Sequence, residues 1–451
     1  MNSIEDNSLF EFTRKNINKV SQVRDLELLI DSLKDSRVVM LGESTHGTEE
    51  FYQWRRVISQ WLIAKHNFKF IAIEGDWPDA QRINRYIHAH ESTVQTTIVP
   101  SHEGGTVPVC ARDVLNGFSR WPTWMWANTE TMRFMEWLKS HNLRHLDTGV
   151  SFHGLDVYSL FQSIDAVIAQ LERVSPFLAR RAKKQYACFD QYRRNEYSFA
   201  KSILRLPDGC EKEVLAVLKD ILALQTQESM GDELFDAVQG AKVIKNAELY
   251  YRSMMFSDES WNVRDRHMLD SLESLLTQYG DESKGIVWAH NTHIGDYRAT
   301  DMASQGLVNL GGLARERFGK ESVSLVGFST YQGHVTASRA WDGPIQELEV
   351  PPARKGSYEE MFHRVCTSSF SNTVYVMMET SFVKSPLAEL HGQRAIGVVY
   401  DPARERWSQY VPTSLAKRYD AFFFIDHTTA LSPLVLATEE NEIPATWPTG
   451  R

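Results

Sequence analysis

The sequence predicts an α/β protein: a mostly parallel central sheet flanked by helices, carrying a largely helical insertion. Three observations predict it. Short apolar runs of strand length, such as Val38–Leu41 and Phe70–Ile73, alternate with longer stretches of helical periodicity, as in a covered parallel sheet. Four runs end on a charged or imidazole side chain, at Glu43/His46, Glu74, Asp156 and His290. From Ser159 to Glu282 the pattern is helical almost throughout, with few strand signals.

Along the chain, residues 7–36 have helical periodicity and Val38–Leu41 is the first strand. Between Glu49 and Lys65, Phe51, Trp54, Ile58, Trp61 and Leu62 fall on one helical stripe. Glu49 and Glu50 sit in its first turn, where they complement the helix dipole. Phe70–Ile73 is the second strand. A loop rich in Thr, Gly, Ser and Pro spans 91–112; a loop this long in a compact domain is often a lid or a pocket wall. Ser151–Asp156 is the next strand. After the helical stretch, strands return at 285–290, Val323–Phe328, Thr373–Met378, Ala395–Tyr400 and Ala421–Ile425. The implied division is 1–158 for the first part of the α/β core, 159–283 for the helical insertion and 284–451 for the second part of the core.

The composition narrows the class. With 451 residues, 42% hydrophobic and 24% charged, the chain can bury a sizeable core. A net charge of -9 with no polybasic run argues against a nucleic-acid or anionic-membrane surface. The four cysteines (110, 188, 210 and 366) include no CxxC pair, so a structural zinc site is not expected. Their wide spacing suits reduced thiols rather than a disulfide framework. The acidic, polar start lacks the features of a signal peptide, and no stretch nears the roughly 20 apolar residues of a membrane span. The expectation is a cytoplasmic protein with no membrane or nucleic-acid partner.

In an open α/β sheet, ligands bind outside the carboxyl ends of the strands, so the strand-end groups converge there. In Gly42-Glu43-Ser44-Thr45-His46-Gly47 a carboxylate and an imidazole share a turn. A carboxylate beside an imidazole sets its tautomer and raises its basicity, as a general base requires. The alternative is that Glu43 caps the following helix and His46 fills the turn. Glu74 could orient His46 or His290, accept a substrate hydroxyl, or pair with Arg82 or Arg85. His290 and His293, in Trp288-Ala289-His290-Asn291-Thr292-His293, could bind a metal, position substrate or stabilise an oxyanion. Arg55 and Arg56, and Arg264 and Arg266, could hold a carboxylate or an oxyanion, or be structural. Trp121, Trp124 and Trp126 either line an apolar pocket or belong to the core. The motifs GxSxG, P-loop, GxGxxG and HExxH are absent.

The segment Gly42–Tyr52 resembles the erythromycin esterase family. The resemblance continues through Ile73-Glu74-Gly75-Asp76-Trp77-Pro78, Phe152–Asp156, Asn262-Val263-Arg264-Asp265-Arg266 and Trp288–His293, in order and across nearly the whole chain. It implies an EreA/ChaN-like α/β fold with a helical portion, similar also to haem-binding ChaN-like proteins and metal-dependent TIKI proteases. It further implies that His46 activates water without a metal, and it puts the turn's glutamate on Glu43, the following helix arginine on Arg55 and the later histidines on His290 and His293. Together with the strand-end reading, the expected catalytic residues are His46, Glu43, Glu74 and His290, and the expected substrate-binding residues are Arg55, His293, Arg264 and Asp156. The expected protein is therefore a carboxylic ester or lactone hydrolase with a small-molecule substrate and no cofactor. Two alternatives stay open: a metal-dependent hydrolase using Glu43, His46, Glu74 and His290, and a non-catalytic haem- or glycan-binding protein linked to polysaccharide biosynthesis.

Overall fold

The computed structural model describes residues 3–88, 99–100, 106–107, 110–118, 120–192, 195–203, 209–225, 231–254 and 259–434. Its main sheet has nine strands. Numbered along the chain they are β1 (Ile17–Lys19), β2 (Val38–Leu41), β3 (Phe70–Asp76), β4 (Ser151–Asp156), β5 (Gly285–Trp288), β6 (Val323–Ala337), β7 (Gln346–Val350), β8 (Thr373–Met377) and β9 (Ala421–Thr428). The spatial order is β1-β8-β9-β6-β2-β5-β3-β4, with β7 paired to β6. From β9 through β4 all neighbours are parallel; β1 on β8, β8 on β9 and β7 on β6 are antiparallel.

Strand residues alternate between two cores, because successive side chains point to opposite faces. Val39, Leu41, Ile71, Ile73, Ile286 and Trp288 join helices Glu49–His66 and Thr129–Arg144 on one face. Val38, Met40, Phe70, Ala72 and Val287 join helices Glu259–Gln278, Leu310–Phe318 and Tyr358–Ser369 on the other. Both faces being covered, the central strands are apolar throughout, which is why they were legible as unbroken apolar runs. Between Leu160 and Gln278 the described elements are all helical, and those from Leu160 to Met254 share a core of their own. No described helix is long and apolar enough to cross a membrane.

Several expectations are corrected. The helical stretch expected over 7–36 is broken: helix Ser3–Asn16 ends, β1 pairs with β8, and helix Glu27–Leu33 follows. The strand expected at Ala395–Tyr400 is absent. The regular ladder is Leu390–Arg394 with Tyr410–Ser414, and residues 396 and 399 make only single bridges to Thr45 and Ser338. Their partners are turns, which offer no ladder to extend. β5 stops at Trp288 because the next strand-like N–H, that of His290, goes to the Glu74 carboxylate. Cys188 and Cys210 form a disulfide with Cα atoms 6.1 Å apart, contrary to the expectation of four thiols; the turn at 187–192 folds back onto the residues leading into helix Glu211–Gln225. Cys110 and Cys366 are free. Most of the loop expected at 91–112 lies outside the described residues.

The strand order places the site. β5 lies between β2 and β3, with β3 and β4 on one side of it and β2 and β6 on the other. Strand progression reverses there, and the carboxyl ends of β2, β5 and β3 form the crevice in which ligands of such sheets sit.

Candidate active site

The turn after β2 is held by the sheet on both sides. Gly42 donates its N–H to the Val326 carbonyl (2.9 Å), and Glu43 accepts the Asn291 N–H (2.8 Å). Ser44 accepts the Ile396 N–H (2.7 Å), while Thr336 and Leu431 both donate to the Gly47 carbonyl (2.9 and 2.8 Å). Gly47 is needed for close approach: a Cβ there would lie 1.9 Å from the Thr336 carbonyl oxygen. Thr48 then caps helix Glu49–His66 from an extended conformation, so the turn presents Glu43 and His46 at a fixed angle.

Glu43 bridges two partners. Its Oε1 lies 3.0 Å from His46 Nδ1, and its Oε2 accepts Arg55 Nη2 at 2.8 Å. Arg55 is fully buried, with its guanidinium carbon 4.3 Å from the Tyr52 ring centroid and 5.0 Å from that of Trp288. Such stacking on aromatic faces stabilises a buried guanidinium. Paired with it, Glu43 is a carboxylate with only lone pairs to offer. His46 therefore carries its ring proton on Nδ1, and Nε2 keeps a lone pair. His46 is 8% exposed, and Tyr52 Oη donates to its carbonyl (2.9 Å).

His290 has the opposite tautomer. The Thr292 N–H is donated to its Nδ1 (3.3 Å), and Thr292 Oγ1 lies 2.8 Å from the same atom. Nδ1 thus accepts and the proton sits on Nε2, a buried donor with no hydrogen-bond partner. The Ser44 carbonyl, close enough to favour the protonated ring, does not complete a hydrogen bond with it. Burial first, and then the neighbouring His46, hold His290 well below the ordinary imidazole pKa. The two imidazoles are neighbours, with centroids 4.8 Å apart and planes tilted by 40°. One has a free lone pair and the other a free N–H.

The second carboxylate, Glu74, is built into a larger network. Its Oε2 accepts the His290 N–H (2.8 Å) and its Oε1 accepts Arg264 Nη2 (2.6 Å). Burial opposes its charge, but His293 and His46 whenever they are protonated, and Arg264 and the His290 N–H throughout, hold Glu74 well below the usual carboxylate range. Arg264 also binds Asp156 through Nε (2.9 Å) and Nη2 (2.7 Å), and donates from Nη1 to His293 Nε2 (3.0 Å). His293 donates its Nδ1–H to Asp265 (2.9 Å). Although burial disfavours its charge, Asp265 and Glu74 raise the proton affinity of His293. The Arg264 contact still requires a lone pair on Nε2, so the geometry is that of the neutral ring.

The strand-end residues Glu43, His46, Glu74 and His290 thus come together at one sheet edge. Arg55, His293, Arg264 and Asp156 stand one layer behind them. Arg55 lies beneath Glu43, and polar atoms of Asp156 and His293 are turned to Arg264. Arg56 points away to Glu130 (2.8 Å), and Arg266 is exposed. The suggested Glu74 partners Arg82 and Arg85 are replaced by Arg264, from far along the chain; Arg82 pairs with Asp79 at 2.6 Å. Trp124 and Trp126 are core, the latter donating to the Glu74 carbonyl (3.1 Å), whereas Trp121 is half-buried. Asp265, Tyr52 and Thr292 were missed as partners. Only Asp265 carried a local signal, flanked by arginines in Arg264-Asp265-Arg266.

A cation would find few free ligands here. Both oxygens of Glu43 and Glu74 are engaged, as is Nδ1 of His290. Among the described residues no group of three or more His, Cys, Asp or Glu side chains is arranged to hold a metal ion.

The family model described as Erythromycin esterase matches residues 63–428. Erythromycin esterase type II of Escherichia coli is 21% identical over 337 residues, 69% of this chain and 73% of that protein. Among solved structures, a succinoglycan biosynthesis protein superposes with a TM-score of 0.74 at 19% identity, covering 96% of this chain and 99% of that one. An erythromycin esterase mutant, EreC in its open conformation, gives 0.65 at 14% identity, covering 92% and 97%. With most of its length matched by one family model and its fold shared with a named erythromycin esterase, this chain belongs to the erythromycin esterase family.

Proposed function

We propose that this protein hydrolyses a carboxylic ester or lactone by activating water, with His46 as general base and His290 as oxyanion donor. His46 Nε2 takes a proton from water as the oxygen attacks the carbonyl carbon. The carbonyl oxygen, now an oxyanion, accepts the His290 Nε2–H. On collapse the C–O bond to the alkoxide breaks, and His46 returns the proton to the leaving oxygen. Acid, alcohol and the starting enzyme result.

The observation that carries this reading is the pair of contacts that assigns opposite tautomers: Glu43, held by Arg55, faces His46 Nδ1 and so leaves Nε2 a lone pair, and the Thr292 N–H faces His290 Nδ1 and so leaves a proton on Nε2. Keeping His290 neutral suits it to donate rather than to compete for the proton. Glu74 holds the His290 backbone, and Arg264, Asp156, His293 and Asp265 hold Glu74.

The test is mass-spectrometric incubation of chelator-treated protein with an ester and lactone panel that includes macrolides, beside His46→Ala. Gain of one water by a substrate, reduced about 10²–10⁴-fold or more in the variant, is the expected result. Wild-type turnover by His46→Ala would overturn the base assignment. Turnover only after zinc or manganese is restored would replace this mechanism with the metal-dependent one.

A further inference from the structure

The turn that carries His46 is gripped at its exit by a segment from far along the chain. After β9, residues 429–434 run antiparallel to the turn. Glu49 donates its N–H to the Thr429 carbonyl (3.0 Å) and Leu431 donates to the Gly47 carbonyl (2.8 Å), so Thr48 and Ala430 face each other. The segment then crosses to a second element. Thr129 donates to the Ser432 carbonyl (3.0 Å), and Leu434 to that of Ala127 (2.9 Å). Next to Ala127, Trp126 gives its indole N–H to the Glu74 carbonyl (3.1 Å). The segment is thus a strap across the strand ends that carry His46 and Glu74.

Three contacts fasten the strap. The Leu431 side chain is 1% exposed and shares a core with Phe51 and Tyr52. Glu50 Oε2 accepts the Thr429 N–H (2.9 Å), and its Oε1 accepts the Thr429 hydroxyl (2.9 Å). Thr336 Oγ1 donates to the Leu431 carbonyl (2.5 Å), while the Thr336 N–H bonds the Gly47 carbonyl (2.9 Å). Thr336, Gly47 and Leu431 therefore close a triangle of hydrogen bonds joining strand, turn and strap. Thr336 is buried. A valine would fill its place with the same shape and suit a β-strand equally well. A buried hydroxyl is costly unless it is hydrogen-bonded, and this one is spent on the strap.

The entry to the turn is pinned by the sheet through Gly42 and Glu43. Its exit is the Gly47 peptide, one residue past His46. A general base must sit within hydrogen-bond reach of the proton it takes, and a misplacement of about 1 Å can cost about 10²-fold in rate. Resting on the hydrolase reading above, we infer that Thr336 is a positioning residue of this site. Its hydroxyl locks the strap against Gly47 and so fixes the angle at which His46 meets water.

Thr336→Val keeps the shape and the backbone N–H and deletes the hydroxyl. On the best ester of the panel, kcat should fall about tenfold or more, with KM little changed. Thr336→Ser, which keeps the hydroxyl, should retain most of the wild-type kcat. Thr13→Val deletes another buried hydroxyl, bonded to the Leu9 carbonyl (2.8 Å) in helix Ser3–Asn16, and should leave kcat unchanged. Glu50→Ala frees the strap from outside the core and should also lower kcat; Glu50→Gln, which keeps an accepting oxygen, should restore it. Hydrogen exchange of the full-length protein reads the strap without turnover. Peptides covering 42–50 and 429–434 should exchange faster in Thr336→Val, and those from β3 at the wild-type rate. Wild-type kcat in Thr336→Val overturns the role, as does an equal loss in Thr336→Ser. Exchange that quickens throughout the protein, the mark of general destabilisation, overturns it as well. Selective loosening of the turn in a protein that hydrolyses no ester would count against the hydrolase reading and leave the strap's hold on His46 standing.

Discussion

Glu43→Gln tests the site where its geometry makes the least intuitive claim. The wild-type carboxylate gives one oxygen to His46 Nδ1 (3.0 Å) and the other to Arg55 (2.8 Å). A glutamine has one carbonyl oxygen. The buried guanidinium, always charged, claims it, and the amide NH₂ is left against His46 Nδ1. That nitrogen must then accept, its proton moves to Nε2, and the lone pair needed for water is lost. Inverting a catalytic imidazole's tautomer costs on the order of 10⁴ in kcat in a serine protease triad, so a loss of about 10³–10⁴ is expected here with little change in KM. Adding Arg55→Met removes the competitor for the oxygen while its straight chain keeps packing between Tyr52 and Trp288. The amide can then flip, and the double variant should regain about tenfold or more over Glu43→Gln alone. Stability should be non-additive as well. Arg55→Met by itself strands a buried carboxylate, at about 3–5 kcal/mol; the double variant buries neither charge and should lose less. Steady-state kinetics on the best ester of the panel and urea unfolding followed by tryptophan fluorescence read both effects. A double variant slower than Glu43→Gln, with unfolding costs that simply add, would refute the reasoning.

Three further outcomes are expected. His290→Phe keeps the ring but deletes the N–H; kcat should fall about 10²–10³-fold, as for loss of one oxyanion donor, and unchanged kcat would remove His290 from that role. His153, buried against Trp77 and Tyr279, is pushed down by burial to about 3. The unfolded chain takes up this proton near pH 6.5 and the folded protein only near 3, so stability is lost as pH falls through that window. His153→Phe should flatten the fall of the urea midpoint between about pH 6 and 4; an unchanged slope would show that the residue does not drive it. Gly47→Ala places a methyl group on the Thr336 carbonyl and should cost about 1–3 kcal/mol together with most of the activity. Wild-type melting and turnover would show that the turn has slack.

Much of this architecture could be read from the sequence, for a physical reason. Central parallel strands are buried on both faces, so Val38–Leu41 and Phe70–Ile73 appear as unbroken apolar runs, and whatever polar group follows must lie at the strand's end. That rule alone brings Glu43, Glu74 and His290 to one edge. The failures share a cause too. Residues 395–400 look like a strand, but their hydrogen bonds go to the turns at Ser44 and Ser338, contacts that no local pattern announces. The pairing of Arg264 with Glu74, far apart in sequence, is equally silent, and nearby Arg82 or Arg85 was the natural guess. The Cys188–Cys210 pair depends on how the helices fold back, which spacing does not encode.

The insertion of β5 between β2 and β3 also has a consequence in time. β2 pairs only with β5 and β6, which begin at residues 285 and 323. At about 5–20 residues per second, a ribosome needs on the order of 10–50 seconds after finishing β2 to deliver its first neighbour. Throughout that interval Val38-Val39-Met40-Leu41 has two bare edges, the condition that invites wrong pairing. Glu43, His46 and Glu74 are all synthesised early, yet Glu74 waits for Arg264 and His290, and the turn bearing Glu43 and His46 waits for residues as late as Leu431.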